Sequence, residues 1–277
     1  MLQIIEMTDR QCVEFLQWAL PRLDLRWRGF RKVRRQVHKR IVRRMGELRL
    51  AHIAEYRRYL ETHPDEWPVL DSFLRISISR FYRDRDVFDH LRDQVLPDLA
   101  RRACDRCEHM RAWSAGCASG EEPYTLSILW ARHVQPVLFP EMCLDVLATD
   151  ADPHMLQRAR EASYPASSLK DVPADWRETA FVPRGDQYVL RPEFQAHVEF
   201  HQQDIRAEIA EGPFDLILCR NLICTYFAEP LQRQVLEQMA GRLVPGGVLI
   251  VGKHEAPPEG TRGLKPSVPG LGCYRAS

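Results

Sequence analysis

The chain has 277 residues, 45% hydrophobic and 28% charged, enough for one large domain or two modest ones with cores of their own. No run approaches the roughly 18 apolar residues that a membrane span needs, and the opening MLQIIEMTDRQ lacks the basic-then-apolar pattern of an export signal, so a cytoplasmic protein is expected. The net charge is only +1, and the eight cysteines do not form a disulfide framework in a chain of this kind.

The first hundred residues predict helices. Thr8 stands where it can cap a helix with Cys12, Val13, Phe15, Leu16 and Leu20 on one face, and Pro21 should end it. From Arg26 to Arg49 basic residues crowd together with Glu47 as the single acid. Within that stretch Val33, Val37, Ile41 and Met45 recur every fourth position, an apolar stripe under a coat of arginines. A third helix is expected through Ile53, Tyr56 and Leu60, a fourth from Trp67 to Leu74, and a longer one, capped by Asp84, through Val87, Phe88, Leu91, Val95 and Leu99. Cys104 and Cys107 form a lone CxxC. With no second pair and no histidine cluster, two thiols near a helix end are expected rather than a zinc or redox centre.

From about Arg111 the rhythm changes. Short apolar strands (MRAWSA, CLDVLATD, FDLILC, GGVLIVG) alternate with helices at Glu121 to Arg132, Pro153 to Glu161 and Pro230 to Leu243, which predicts an α/β fold with a parallel sheet covered on both faces. VPRGDQYVLR followed by AHVEF, at about 181–200, breaks the pattern and reads as a small antiparallel insertion. GCYRAS would add a last strand. The expected domains are a helical one over 1–75, a connector with its linking helix over 76–108, and the α/β domain over 109–277.

The chemistry lies at the strand ends. The first strand runs into Ser114-Ala115-Gly116-Cys117-Ala118-Ser119-Gly120-Glu121-Glu122-Pro123, a glycine turn that lets a ligand approach backbone and helix N-terminus. Two acids directly after the turn would repel a phosphate and suit a cationic or zwitterionic ligand. The second strand ends in Asp150, placed to hydrogen-bond the two hydroxyls of a ribose or else to cap the next helix. Together these describe an adenosine carrier with positive charge and no phosphate, which fits S-adenosylmethionine and not NAD. A third strand ends in Cys219-Arg220-Asn221, followed by Tyr226 and Phe227; Arg220 and Asn221 reach a ligand there or cap a loop.

WSAGCASGEEPYTLS, LATDADPHMLQRARE and FDLILCRNLICTYF, followed by LVPGGVLIVGKHE, resemble the CheR methyltransferases in order and spacing. The likeness extends upstream through ISISRFYRDRDVFDHL and the basic helix with YRRYLE, so it spans essentially the whole chain. It implies a class I methyltransferase α/β domain with a small antiparallel β-subdomain, preceded by an all-α domain, and S-adenosyl-L-methionine as cofactor with S-adenosyl-L-homocysteine as product.

Particular roles follow from the same resemblance. Ser77, Ser79 and Arg83 would contact the methionine end of the cofactor. Gly116 would form the turn beneath it, Glu121 or Glu122 would meet its amino acid portion, Asp150 its ribose, and Asp204 and Ile205 its adenine. Arg220 and Asn221 would lie at the edge of the site. Arg83 or Tyr226 would hold the acceptor, which the resemblance makes a glutamate carboxylate of a chemoreceptor-like protein steered in by the basic helix Arg26 to Arg49. The segment lacks the interleaved aromatics of a nucleic-acid binder beyond Trp27 and Phe30, and no NPPY-like amide-methylating signature is present.

This chain departs from the family pattern at several places. Ser77 and Ser79 stand where Asn and Thr are usual, four residues rather than three separate Asn221 from Tyr226, Gly252-Lys253-His254-Glu255 replaces glycine-His-Ser-Glu, and the loop at Arg184-Gly185-Asp186 is short. These differences keep a small-molecule acceptor as the alternative.

Overall fold

The computed structural model describes residues 7–277; the first six residues of the opening segment read above lie outside the described residues. The chain divides into two units, one ending at Ile76 and joined by Thr225–Leu231, the other comprising Ser77–Cys224 and Gln232–Ser277.

In the helical unit, α1 (Asp9–Ala19) is opened by Thr8, whose hydroxyl accepts the Gln11 N–H while the Gln11 side chain accepts the Thr8 N–H, so two orphan donors of the first turn are satisfied at once. The α-helix ends at Ala19, just before Pro21 as expected, and the chain passes into a tighter turn. Pro21 sits at the start of this turn, Leu20–Leu23, where its missing N–H costs nothing. The basic segment is two helices rather than one: α2 (Trp27–Phe30) and α3 (Arg34–Glu47) are separated at Val33, whose backbone leaves the helical region at φ −105°, ψ 0°. Val37, Ile41 and Met45 are fully buried on the inner face of α3. Then come α4 (Ile53–Thr62), where Glu55 reaches back to the N–H groups of Ala51 and His52, and α5 (Glu66–Leu74).

Part of the arginine coat serves this unit itself. Arg34 pairs with Asp9 at 2.9 Å, Arg40 donates to the carbonyls of Phe73 and Arg75, and Arg44 grips the buried Glu66 with both arms at 2.7 and 2.9 Å. Arg31, Lys32, Arg35, Lys39 and Arg43 remain exposed. Residues 225–231 close the unit: Arg26 N–H donates to the Tyr226 carbonyl at 2.8 Å, Ala228 N–H to the Asp24 carbonyl at 2.7 Å, and the Tyr226 ring lies 5.0 Å from Phe30. That approach needs Gly29, because a Cβ there would overlap the Thr225 carbonyl.

In the α/β unit, α6 (Arg85–His90) and α7 (Leu96–Asp105), joined through a wide turn at Leu91–Val95, lead to β1 (Met110–Ala115). There follow α8 (Glu121–Leu129), α9 (Gln135–Leu138), β2 (Leu144–Asp150), α10 (Pro153–Glu161), β3 (Ser163–Pro165), α11 (Ala174–Ala180), β4 (Phe181–Arg184), β5 (Gln187–Leu190), β6 (Val198–Gln202) and β7 (Phe214–Cys219). After α12 (Ile223–Tyr226) and α13 (Glu229–Ala240) the chain ends in β8 (Leu243–Val251), β9 (Leu264–Val268) and β10 (Cys273–Ala276). The main sheet runs β6-β2-β1-β7-β8-β10-β9, parallel except at β10, which pairs antiparallel with both neighbours.

The antiparallel insertion forms where VPRGDQYVLR was expected to make it, but only in part as expected. It is β3-β5-β4, with β4 and β5 joined at Gly185-Asp186, whereas the AHVEF strand is not part of it. That stretch forms β6, the parallel edge strand of the main sheet, because Val198 and Phe200 pack inward while Glu199 and His201 face water. Trp113, Leu216, Leu218 and Val248 lie at the fully buried centre. No helix of the described residues is long and apolar enough to cross a membrane.

Candidate active site

Strand order reverses on either side of β1, which pairs with β2 on one flank and β7 on the other, so a crevice opens at the carboxyl ends of these three strands. The turn after β1 is shaped for close approach. Gly116 has φ +77°, and a Cβ there would overlap the Leu222 side chain; Gly116 and Cys117 N–H both donate to the Thr149 carbonyl at 2.7 and 2.9 Å. Asp150 holds the turn from the side: its carboxylate accepts the Ala118 N–H at 2.9 Å and the Asp152 N–H at 2.8 Å. The α10 cap is Asp152, which accepts the His154 N–H, so of the two roles open to Asp150 in the sequence, capping belongs to its neighbour.

The paired acids divide their work. Glu121 is 2% exposed and accepts hydrogen bonds from Ser119, at 2.9 Å, and from Ser79. Burial pushes its carboxyl above the ordinary glutamate range, against the pull of these donors. Glu122 accepts from the Ser114 hydroxyl at 2.8 Å and from Arg220 at 3.2 Å, and burial raises its pKa as well. Arg220 is almost wholly buried and also donates to Asp84 at 2.7 Å and to the Arg83 carbonyl at 2.8 Å, its guanidinium lying 5.0 Å over Phe88.

The connector is laid beside this turn. Phe81 N–H donates to the Ser168 carbonyl and Tyr82 N–H to the Thr125 hydroxyl, which in turn donates to the Glu121 carbonyl at 2.6 Å. Arg83 reaches the Ile78 carbonyl at 2.8 Å, and Ser77 is half-buried on the same extended segment. Asp84 precedes α6, but its side chain does not cap the helix as the sequence predicted. It turns instead to Arg220. On the β2 side, Asp204 is clasped by Arg206 at 2.6 Å and Ile205 is buried. Asn221 adopts φ +56°, its N–H donating to Glu255 at 2.7 Å, and Glu255 also takes the Gly252 N–H at 2.7 Å.

The fold thus gathers Ser79, Arg83, Gly116, Glu121, Glu122, Asp150, Arg220 and Asn221 around the ends of β1, β2 and β7. Tyr226 belongs to the helical unit, packed on Phe30. His254 is exposed. Sequence reading missed Ser114, Thr125 and Glu255 as parts of this network. Glu255 was legible as the acid closing the Gly252-Lys253-His254-Glu255 turn, but Ser114 and Thr125 carry no signal apart from their register. Among the described residues no group of three His, Cys, Asp or Glu side chains could hold a metal, and Cys104 and Cys107 are both exposed.

The donor set fits a zwitterionic adenosine ligand. Three buried or half-buried carboxylates face a turn too acidic for a phosphate, and the arginine of the connector complements a carboxylate. A seven-stranded class I methyltransferase sheet carrying this acid-lined glycine turn defines an S-adenosylmethionine-dependent methyltransferase. Residues 77–267 match the model of the CheR methyltransferase SAM-binding domain and residues 32–73 that of the CheR methyltransferase all-alpha domain. The chain belongs to the CheR methyltransferase family. Similar proteins include the chemotaxis protein methyltransferase of Listeria monocytogenes, 37% identical over 184 residues (66% of this chain, 67% of that one). Chemotaxis protein methyltransferase 2 of Pseudomonas aeruginosa is 33% identical over 226 residues, 79% of this chain and 77% of that one. The chemotaxis protein methyltransferase of Escherichia coli is 30% identical over 230 residues, 80% of this chain and 76% of that one.

The raised Glu121 carboxyl has a measurable consequence. For an acid whose pKa is higher in the folded state, its contribution to stability falls as pH rises from the ordinary value through the folded one. A cationic ligand group beside it would favour the charged form, so binding of such a ligand should release protons at pH values above the ordinary glutamate range. Calorimetry of S-adenosylhomocysteine in buffers of different ionisation enthalpy should show this release, and Glu121→Gln should reduce it, leaving a part carried by Glu122.

Proposed function

We propose that this enzyme methylates glutamate side chains of a chemoreceptor-like protein. The observation that carries the reading is the exposed row Arg31, Lys32, Arg35 and Lys39, continued by Arg43 beside Glu47, which survives after Arg34, Arg40 and Arg44 are taken up by the helical unit. Such a row attracts a glutamate-rich helix. The names of the relatives agree with a chemotaxis role.

The cofactor supplies an electrophilic methyl group on a sulfonium. Ser79 and Glu121 would hold its amino group, Ser77 and Arg83 its carboxylate, Asp150 the ribose hydroxyls, and Asp204 with Ile205 the adenine, while Gly116 and Asn221 shape the floor. A glutamate acceptor is ionised at neutral pH, so the protein needs to strip water from it and orient it rather than deprotonate it. This agrees with a site whose acids are already engaged in hydrogen bonds.

Binding of S-adenosylhomocysteine, measured by calorimetry, tests the cofactor half. Asp150→Ala and Arg83→Ala should each weaken it about tenfold or more, the loss of a charge-assisted hydrogen bond. Incubation with glutamate-rich receptor fragments should then yield base-labile methyl groups, and Arg35→Glu with Lys39→Glu should slow transfer while leaving cofactor affinity unchanged. Absence of binding by the folded wild type would overturn the assignment; binding with no transfer to such fragments, but transfer to a small carboxylate or amine, would replace the acceptor.

A further inference from the structure

Arg83 is flanked by two residues in an uncommon backbone state. Tyr82 has φ +57° and Asp84 φ +60°, ψ +66°, both left-handed, and neither is glycine. Such conformations are unfavourable for residues with a Cβ and persist only where the surroundings over-determine them. Here the surroundings are identifiable. Tyr82 is fastened by its N–H to Thr125, and its hydroxyl donates to Asp89 at 2.8 Å. Asp84 is fastened by Arg220, which holds its carboxylate at 2.7 Å and the preceding Arg83 carbonyl at 2.8 Å with the same nitrogen.

Side-chain capping does not account for Asp84, because its carboxylate takes no N–H of α6; Val87 N–H donates to the Asp84 backbone carbonyl at 2.9 Å and to the Asp86 carboxylate at 3.2 Å. Cofactor contact does not account for Arg220 either, since its guanidinium is buried and engaged by Asp84, Glu122 and the Arg83 carbonyl. The pair fixes the backbone on the C-terminal side of one arginine, as Thr125 and Asp89 fix it on the other side, and so helps to set the origin of the Arg83 side chain.

We propose that Asp84 is a positioning residue for Arg83: paired with Arg220, it locks the left-handed kink that aims the Arg83 guanidinium at the ligand. The inference rests on the reading of Arg83 as a cofactor contact. Arg220 ties this kink to Glu122 in the first turn of α8, so the connector and that helix share one buried cation.

The test is a double-mutant cycle in S-adenosylhomocysteine affinity. Asp84→Asn keeps size and tolerance for the left-handed region but removes the charge that holds Arg220. It should weaken binding about tenfold, and adding it to Arg83→Ala should cause little further loss, since both remove the same contact. Arg220→Lys, which keeps a charge but cannot span both acceptors, serves as the second variant and should show the same non-additivity. If Arg83→Ala weakens binding and the Asp84→Asn loss simply adds to it, or if Asp84→Asn lowers the melting temperature with unchanged affinity, the positioning role is wrong while the site stands. If Arg83→Ala itself binds like wild type, the reading of Arg83 fails and the proposal fails with it.

Discussion

Arg220→Met is expected to destabilise the α/β unit by about 2–4 kcal/mol, because it leaves two part-buried carboxylates, Asp84 and Glu122, without their shared cation. The Arg220 side chain is 3% exposed and pairs with Asp84 at 2.7 Å and Glu122 at 3.2 Å. Methionine matches the volume and keeps contact with Phe88, so the loss isolates charge from packing. Glu122 already has a pKa raised by burial, with Arg220 pulling it back. Without Arg220 it should take up a proton, and the variant should recover part of its stability as pH falls towards the ordinary carboxylate range. Chemical denaturation at two pH values checks this. A variant as stable as wild type near neutrality would show that solvent reaches the pair.

The second large effect lies in the helical unit. Glu66 is 4% exposed, gripped by Arg44 at 2.7 and 2.9 Å and by the Tyr56 hydroxyl at 2.9 Å. Burial works against its charged form, but the hydrogen bonds from Arg44 and Tyr56 prevail and hold its carboxyl below the ordinary glutamate range. With the folded pKa depressed, the stabilisation is fully present above the unfolded value of about 4.3 and is lost as pH falls through the folded value. Glu66→Ala should therefore cost about 2–4 kcal/mol near neutrality, leaving the Tyr56 hydroxyl without its acceptor and Arg44 with Glu47 alone. The gap to wild type should narrow in acid. Circular dichroism melts across that range would reveal it, and a gap independent of pH would contradict the charge argument.

These two networks mark where reading the sequence stops. The apolar stripe Val37, Ile41, Met45 and the alternation of short strands with helices were legible because burial on one face imposes a period that local sequence must carry. The glycine turn with its acids was legible for a related reason: Gly116 is required by a backbone that passes beside Leu222 at φ +77°. Asp150 could be located at a strand tip, but whether it capped α10 could be decided only once Asp152 was seen to do so.

What the sequence could not hold is the pairing of side chains far apart along the chain. Arg26 to Arg49 reads as one basic surface, yet Arg34, Arg40 and Arg44 turn to partners in other helices, which only their packing selects. AHVEF looks like a continuation of a hairpin, yet it pairs with β2, since strand pairing depends on which edge is open and not on nearness in sequence. Arg220 reads as a ligand at a strand end and is a buried hub, because its charge is closest to Asp84 and Glu122, 136 and 98 residues away. Periodicity, turns and strand-end acids were determined by the sequence by itself, as local consequences of burial and backbone sterics. The partners of each buried charge were decided by the tertiary structure alone, because desolvation must be compensated by whatever the fold brings within hydrogen-bonding distance.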